Sequence, residues 1–138
     1  MDWKYLFTSR DGRINRQPFW IGLIVLIVVS IILQFILVGI VGPLITFIVT
    51  LPIFYAAFAI SLKRAHDRDR PDWYVIGYYV LALVIQVALL TSDPLAPSLI
   101  VTLLSIPAMI WAIVMLIDLG FLRGTRGANK YGPDPLGA

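Results

Sequence analysis

The chain has no cysteine and only one histidine among its 138 residues. Without thiols it can form no disulfide, run no thiol chemistry and build no cysteine-based metal site, and its redox compartment stays open. One histidine among scattered aspartates is a poor zinc set, because zinc takes four ligands, or three and a water. No metal and no cofactor are expected. Charge is scarce too, at 14% of residues, while apolar residues reach 59%. Globular proteins carry about 25% charged residues. A chain this short cannot enclose so much apolar side chain in one core, so the surplus is expected to face lipid.

From Pro18 to Leu62 the chain runs 45 residues without a formal charge. As one helix it would be about 67 Å long, roughly twice the hydrocarbon thickness of a bilayer, so it has to fold back. The strong break is Gly39-Ile-Val-Gly42-Pro43, since glycine suits a helix end and proline the first turn of the next. Helices are therefore expected near 18–40 and 43–62, the second kinked at Pro52. The first is too long for a signal-peptide core and should be retained. A third uncharged run, Trp73 to Ser92, opens with Trp73, Tyr74, Tyr78 and Tyr79. That is the composition of an interfacial aromatic belt, and it predicts a helix near 73–91. After a turn at 92–97, a fourth helix is expected near 98–122, with Pro107 inside it and Asp118 near its exit.

Residues 1–17 mix Trp3, Tyr5, Leu6 and Phe7 with cations, a pattern that suits a segment lying in the headgroup zone. A short tail with a few apolar residues is the plainer alternative. Residues 123–138 are rich in glycine and proline, and no helix is expected there. The fold class is therefore all-α: a polytopic membrane protein, a four-transmembrane-helix bundle with an ordered cytoplasmic cap. The cations give the orientation. Of the eleven Lys and Arg residues, four precede the first helix, four lie between the second and third, and three follow the fourth. The opposite loops hold none and carry only Asp93. The positive-inside bias then puts both termini and the ionic loop 63–72 in the cytoplasm.

Three stretches beside these spans carry a resemblance. They are Gly12-Arg13-Ile14-Asn15-Arg16-Gln17-Pro18-Phe19-Trp20, then Lys63-Arg64-Ala65-His66-Asp67 leading to Trp73, then Gly124 through Pro135, Gly-Thr-Arg-Gly-Ala-Asn-Lys-Tyr-Gly-Pro-Asp-Pro. In this order, separated by apolar spans, they resemble the DUF805 family of small bacterial inner-membrane proteins. The match covers nearly the whole chain. It departs at Pro71-Asp72-Trp73, where a Ser-Gly-Trp ending is expected. The resemblance implies a multi-pass protein of the bacterial inner membrane and supplies no reaction, since the family's function is unknown.

The residues themselves leave several readings. His66 and Asp67 adjoin, as half of an acid–base device would, yet no nucleophile elbow or second histidine accompanies them. More plainly, they join Lys63, Arg64 and Arg68 in hydrogen bonds that fix the loop and clasp the tail. Arg13 and Arg16 stand three apart and would share a helix face if the first helix begins early. With Lys63, Arg64 and Arg10 they would form a pocket for an anionic lipid headgroup, the alternative being unspecific attraction to an anionic leaflet. Asp118 is the one ionisable residue inside an expected span, and it is expected to pair with Arg123, Lys63 or Arg64. Gln34, Gln86, Ser30, Thr46 and Thr50 offer interhelical hydrogen bonds. In the tail, Asn129, Tyr131 and Asp134 are placed to reach Arg13, Arg64 or His66.

Three function classes follow. The first is a non-enzymatic module that binds lipid headgroups or partner proteins through the cap. The second is a small oligomeric transporter or channel using Asp118. The third is a lipid-active enzyme using His66 and Asp67. Partners would be membrane lipids, further copies of the chain or another membrane protein, and not nucleic acid.

Overall fold

The computed structural model describes residues 1–93 and 95–137. Among them the chain forms four helices and no extended sheet: α1 (Trp3–Thr8), α2 (Arg16–Asp67), α3 (Trp73–Leu89) and α4 (Leu99–Gly120). Short polar side chains start three of them, each accepting a first-turn N–H that has no partner inside the helix. Asp2 takes the Tyr5 amide at 3.0 Å, Asn15 the Gln17 amide at 3.1 Å and Ser98 the Val101 amide at 3.3 Å.

The 52 residues of α2 are not one rod. At Gly42 the backbone takes φ +81° and ψ 171°, a region only glycine enters without strain. There the chain reverses into two antiparallel arms, 16–41 and 43–67. Their pairing is fixed far from the bend: a Cβ on Gly22 would lie 2.8 Å from the Ile60 side chain, and the Ile14 amide donates to the Lys63 carbonyl at 3.4 Å. The expected break is therefore present. One expectation is corrected: Lys63 to Asp67 are not loop but the last turns of α2, so the ionic loop shrinks to the turn between α2 and α3. Both α2 and α4 are long and apolar enough to cross a membrane, and α3 is a shorter apolar helix.

Packing is tight at one end and loose at the other. Leu6, Ile60, Val75 and Leu119 are wholly enclosed near the charged end, joined by Phe19 and Met115. Helices meet closely there because glycines face rings. A Cβ on Gly120 would come 2.7 Å from the Trp20 indole, and one on Gly77 would come 2.6 Å from Trp111. The Trp20 indole N–H donates to the Gly120 carbonyl at 2.9 Å. Toward Gly42, α3 and α4 keep a small cluster of Ile85, Val101 and Ala108. The arms of α2 part there and leave, with α3, a cleft of about 600 Å³.

Candidate functional site: the polar cap

The fold-back of α2 brings three sequence-distant stretches to one end of the helices: the chain before α2, the last turns of α2, and the tail. Asp67 is their centre. Arg13 donates to its Oδ1 through Nε at 3.0 Å and Nη2 at 2.9 Å, and Arg64 donates through Nη1 to its Oδ2. All three are buried, at 6%, 0% and 3% exposure for Arg13, Arg64 and Asp67. An ion taken out of water costs several kcal/mol unless its remaining hydrogen-bonding groups are filled. Here they are filled by main-chain carbonyls. Arg13 Nη1 reaches Gly127 O at 2.8 Å and Gly132 O at 3.2 Å, and Nη2 reaches Thr125 O at 2.7 Å. Arg64 donates to Leu119 O at 2.6 Å and Leu122 O at 2.5 Å. The Asp67 carbonyl accepts from Thr125 N at 2.7 Å. The tail thus lies against Asp67, and at Gly124 any Cβ would overlap the Asp67 carboxylate.

Lys63 is equally enclosed, at 0% exposure. Its ammonium donates to the carbonyls of Tyr5, Leu6 and Ser9 at 2.6, 2.7 and 2.6 Å. These three bonds use all its protons and gather carbonyls at the end of α1, where the Tyr5 carbonyl also accepts the Ser9 amide. With the Tyr55 hydroxyl donating to Thr8 O at 2.8 Å, they pin α1 across the second arm of α2.

His66 does not engage Asp67. Its Nε2 lies 2.7 Å from Asp72 Oδ1 and its Nδ1 lies 3.1 Å from the Gly12 carbonyl. Both partners are acceptors, so both bonds form together only when both ring nitrogens carry protons. Tyr131 stacks flat on the ring, 3.9 Å between centroids and 9° between planes, and donates to Arg70 O at 3.0 Å. Asn129 donates to His66 O at 3.0 Å. Asp134 instead turns inward on the tail, accepting from Gly127 N and Leu136 N at 2.9 Å each. Those amides hold its carboxyl below the usual range.

Asp118 on α4 forms a second ionic group. Arg68 donates to its Oδ1 at 3.0 and 2.8 Å, and Arg70 donates to Oδ2 at 2.8 Å and Oδ1 at 3.2 Å. The hydrogen bond to Asp118 raises the Arg70 guanidinium further above its ordinary value.

Several sequence readings are thereby corrected. Arg13 lies before α2, so it shares no helix face with Arg16; Arg13 points into the protein and Arg16 is exposed. Lys63 is saturated by internal acceptors, and Arg64, fully buried, spends three of its five N–H groups on internal acceptors. Asp118 meets Arg68 and Arg70 rather than Arg123, Lys63 or Arg64. Asp72, which the sequence did not single out, is the acid beside His66. Arg64 and Asp67 did carry a signal, being three apart on a helix, but only if that helix is known to continue past Leu62.

What remains outward is a rim of cations. Arg10, Arg16, Arg123 and Arg126 are exposed, and none is in an ion pair among the described residues. Arg16 makes one bond, to Phe121 O at 2.9 Å. Arg16, Arg64 and Arg123 line a recess of about 130 Å³ with Asn15 and Thr125, whose acid walls are Asp67 and Asp134. Asp67 is already neutralised by two arginines. The recess is small and open.

The pattern of the family described as "Protein of unknown function (DUF805)" matches residues 7–133. The chain is similar to the uncharacterized protein YiiR of Escherichia coli K12, 30% identical over 136 residues, covering 95% of this chain and 88% of that one. It is also similar to two proteins of the same organism named as inner membrane proteins. YhaH is 25% identical over 98% of this chain and 97% of its own, and YhaI is 22% identical over 94% and 87%. No solved structure matches the chain.

Proposed function

The chain belongs to the DUF805 family, and from that premise we propose that it is a four-span inner-membrane module whose cap, on the cytoplasmic side, binds anionic lipid headgroups. Two relatives are named as inner membrane proteins, and α2 and α4 have the length and composition to cross. Read as spans, each arm of α2 crosses once. The 17 residues of α3 stand at the lower end of what a crossing needs, about 17–25 residues. The placement of all eleven Lys and Arg residues on one side of these spans supports a cytoplasmic cap.

The observation that carries the headgroup reading is the division among the cations. Arg13 and Lys63 are spent on internal acceptors, whereas the exposed Arg16 and Arg123, together with the buried Arg64, line an open recess. Guanidinium forks suit phosphate oxygens. Attraction to an anionic leaflet is worth about 1 kcal/mol per cation.

The test is lipid retention in nanodiscs of mixed phosphatidylglycerol and phosphatidylcholine, read by mass spectrometry. Wild type should enrich phosphatidylglycerol, and Arg16→Ala with Arg123→Ala should reduce the enrichment about fivefold per residue removed. Equal enrichment in the variant would contradict the reading.

A further inference from the structure

The cleft between the arms of α2 and α3 is built from residues that the cap does not use. Its walls run from Leu23 to Val38 on the first arm and from Pro43 to Ala57 on the second, closed by Gln86 and Leu89 of α3 and by Leu90 just after it. Along the first arm that is a furrow about 22 Å long, at 1.5 Å per residue. Its volume, about 600 Å³, falls within the roughly 300–1,000 Å³ of small-molecule sites. The lining is apolar except for a polar tier of Ser30, Gln34, Thr50 and Gln86, contributed by both arms and α3. Thr50 is satisfied by its own helix, donating to Thr46 O and Phe47 O at 3.0 Å. Gln34 and Gln86 are exposed residues that line the cleft, and their amides have no side-chain hydrogen bond to any described residue. In hydrocarbon an unpaired carboxamide is costly, so the tier calls for a ligand that brings its own hydrogen-bonding group.

We propose that this cleft holds one membrane amphiphile with an uncharged polar group, a hydroxyl, ester or carbonyl, on a single extended apolar chain. The inference rests on the membrane-spanning reading above. The ligand group is uncharged because no formal charge occurs in 18–62 or 73–92. Two carboxamides supply both donors and acceptors, which suits an ester or hydroxyl. The tier lies 18 residues from Arg16 at Gln34, about 27 Å along the helix, and so in the leaflet opposite the cap. From there the furrow continues about 16 Å toward Leu23, room for a chain directed at the cap. A second copy of the protein fits less well. A helix with its side chains is about 10–12 Å across, and these amides line a recess rather than crown a ridge.

The test uses the full-length protein in nanodiscs with a monoacylglycerol bearing a diazirine on its acyl chain. After irradiation, adducts are mapped by peptide mass spectrometry. Adducts should concentrate on 23–38 and 43–57, and fall about tenfold in Gln34→Leu with Gln86→Leu. They should also fall in Ala57→Trp, which fills the furrow. Thermal unfolding of the variants reports whether the bundle is intact, and the apolar Gln→Leu pair keeps the test valid if Ala57→Trp fails to fold. Adducts spread evenly over the outward faces of α2 and α4, or unchanged in the Gln→Leu pair, would overturn the proposal while leaving the spanning reading in place. Disulfide-linked dimers of Gln34→Cys, in a chain with no other cysteine, would overturn it in favour of a second copy. Absence of adducts from every helix would instead defeat the spanning reading.

Discussion

Arg13, Arg16, Lys63 and Arg64 are four cations beside apolar runs, alike on paper, and the folded chain sorts them by burial. Asp67 does the sorting at its two oxygens, since each takes a different arginine. Replacing one member of a buried ionic group strands the others, typically at about 3–5 kcal/mol. Asp67→Asn should therefore lower thermal stability in detergent by that order, whereas Arg123→Ala, at the exposed rim, should leave it nearly unchanged. A comparable drop in both would mean that the cap is not built around Asp67. Gly124→Ala should resemble Asp67→Asn, because the added Cβ overlaps the Asp67 carboxylate. The same unfolding measurement checks it.

At the scale of elements, charge-free runs and Gly-Pro punctuation made the helices legible, to within a few residues at most ends. The last turns of α2 were not legible. Lys63-Arg64-Ala65-His66-Asp67 reads as a loop because ions normally follow a span, and only burial against α1 and the tail keeps it helical. The partners of Asp118 and the acid beside His66 were equally hidden, since Arg68, Arg70 and Asp72 come from the turn at 68–72, whose path no local pattern dictates. That Asn129 and Tyr131 clasp the ionic stretch was legible from the glycine and proline spacing of the tail; that Asp134 serves the tail's own turns was not.

Two predictions belong at this scale. Gly42→Ala forces a side chain into a backbone region that costs about 1–3 kcal/mol and should destabilise the hairpin of α2 by that amount in thermal unfolding. Tail docking should also depend on pH. The Asp134 carboxyl is held below its ordinary value by the Gly127 and Leu136 amides, so its contribution is complete above the ordinary carboxylate range and is lost as pH falls through the lowered value. Protease cleavage within 124–137 should rise in that acid window, and Asp134→Asn should remove the dependence.

The whole molecule is polarised. One end is ionic, hydrogen-bonded and densely packed, and the other is apolar and opens into a cleft. In a bilayer this places a rigid cap at one surface and lets the far leaflet reach between the helices. Asp118, in the last turns of α4, belongs to the ionic end, where two arginines hold it.

The absence of cysteine makes the orientation open to direct measurement. Single cysteines introduced as Ser92→Cys and Lys130→Cys can be labelled with a membrane-impermeant maleimide in intact spheroplasts and again after permeabilisation. Cysteine at 92 should label in intact spheroplasts, and cysteine at 130 only once the membrane is opened. Labelling of position 130 from outside, or the same behaviour at both positions, would contradict a four-span chain with a cytoplasmic cap.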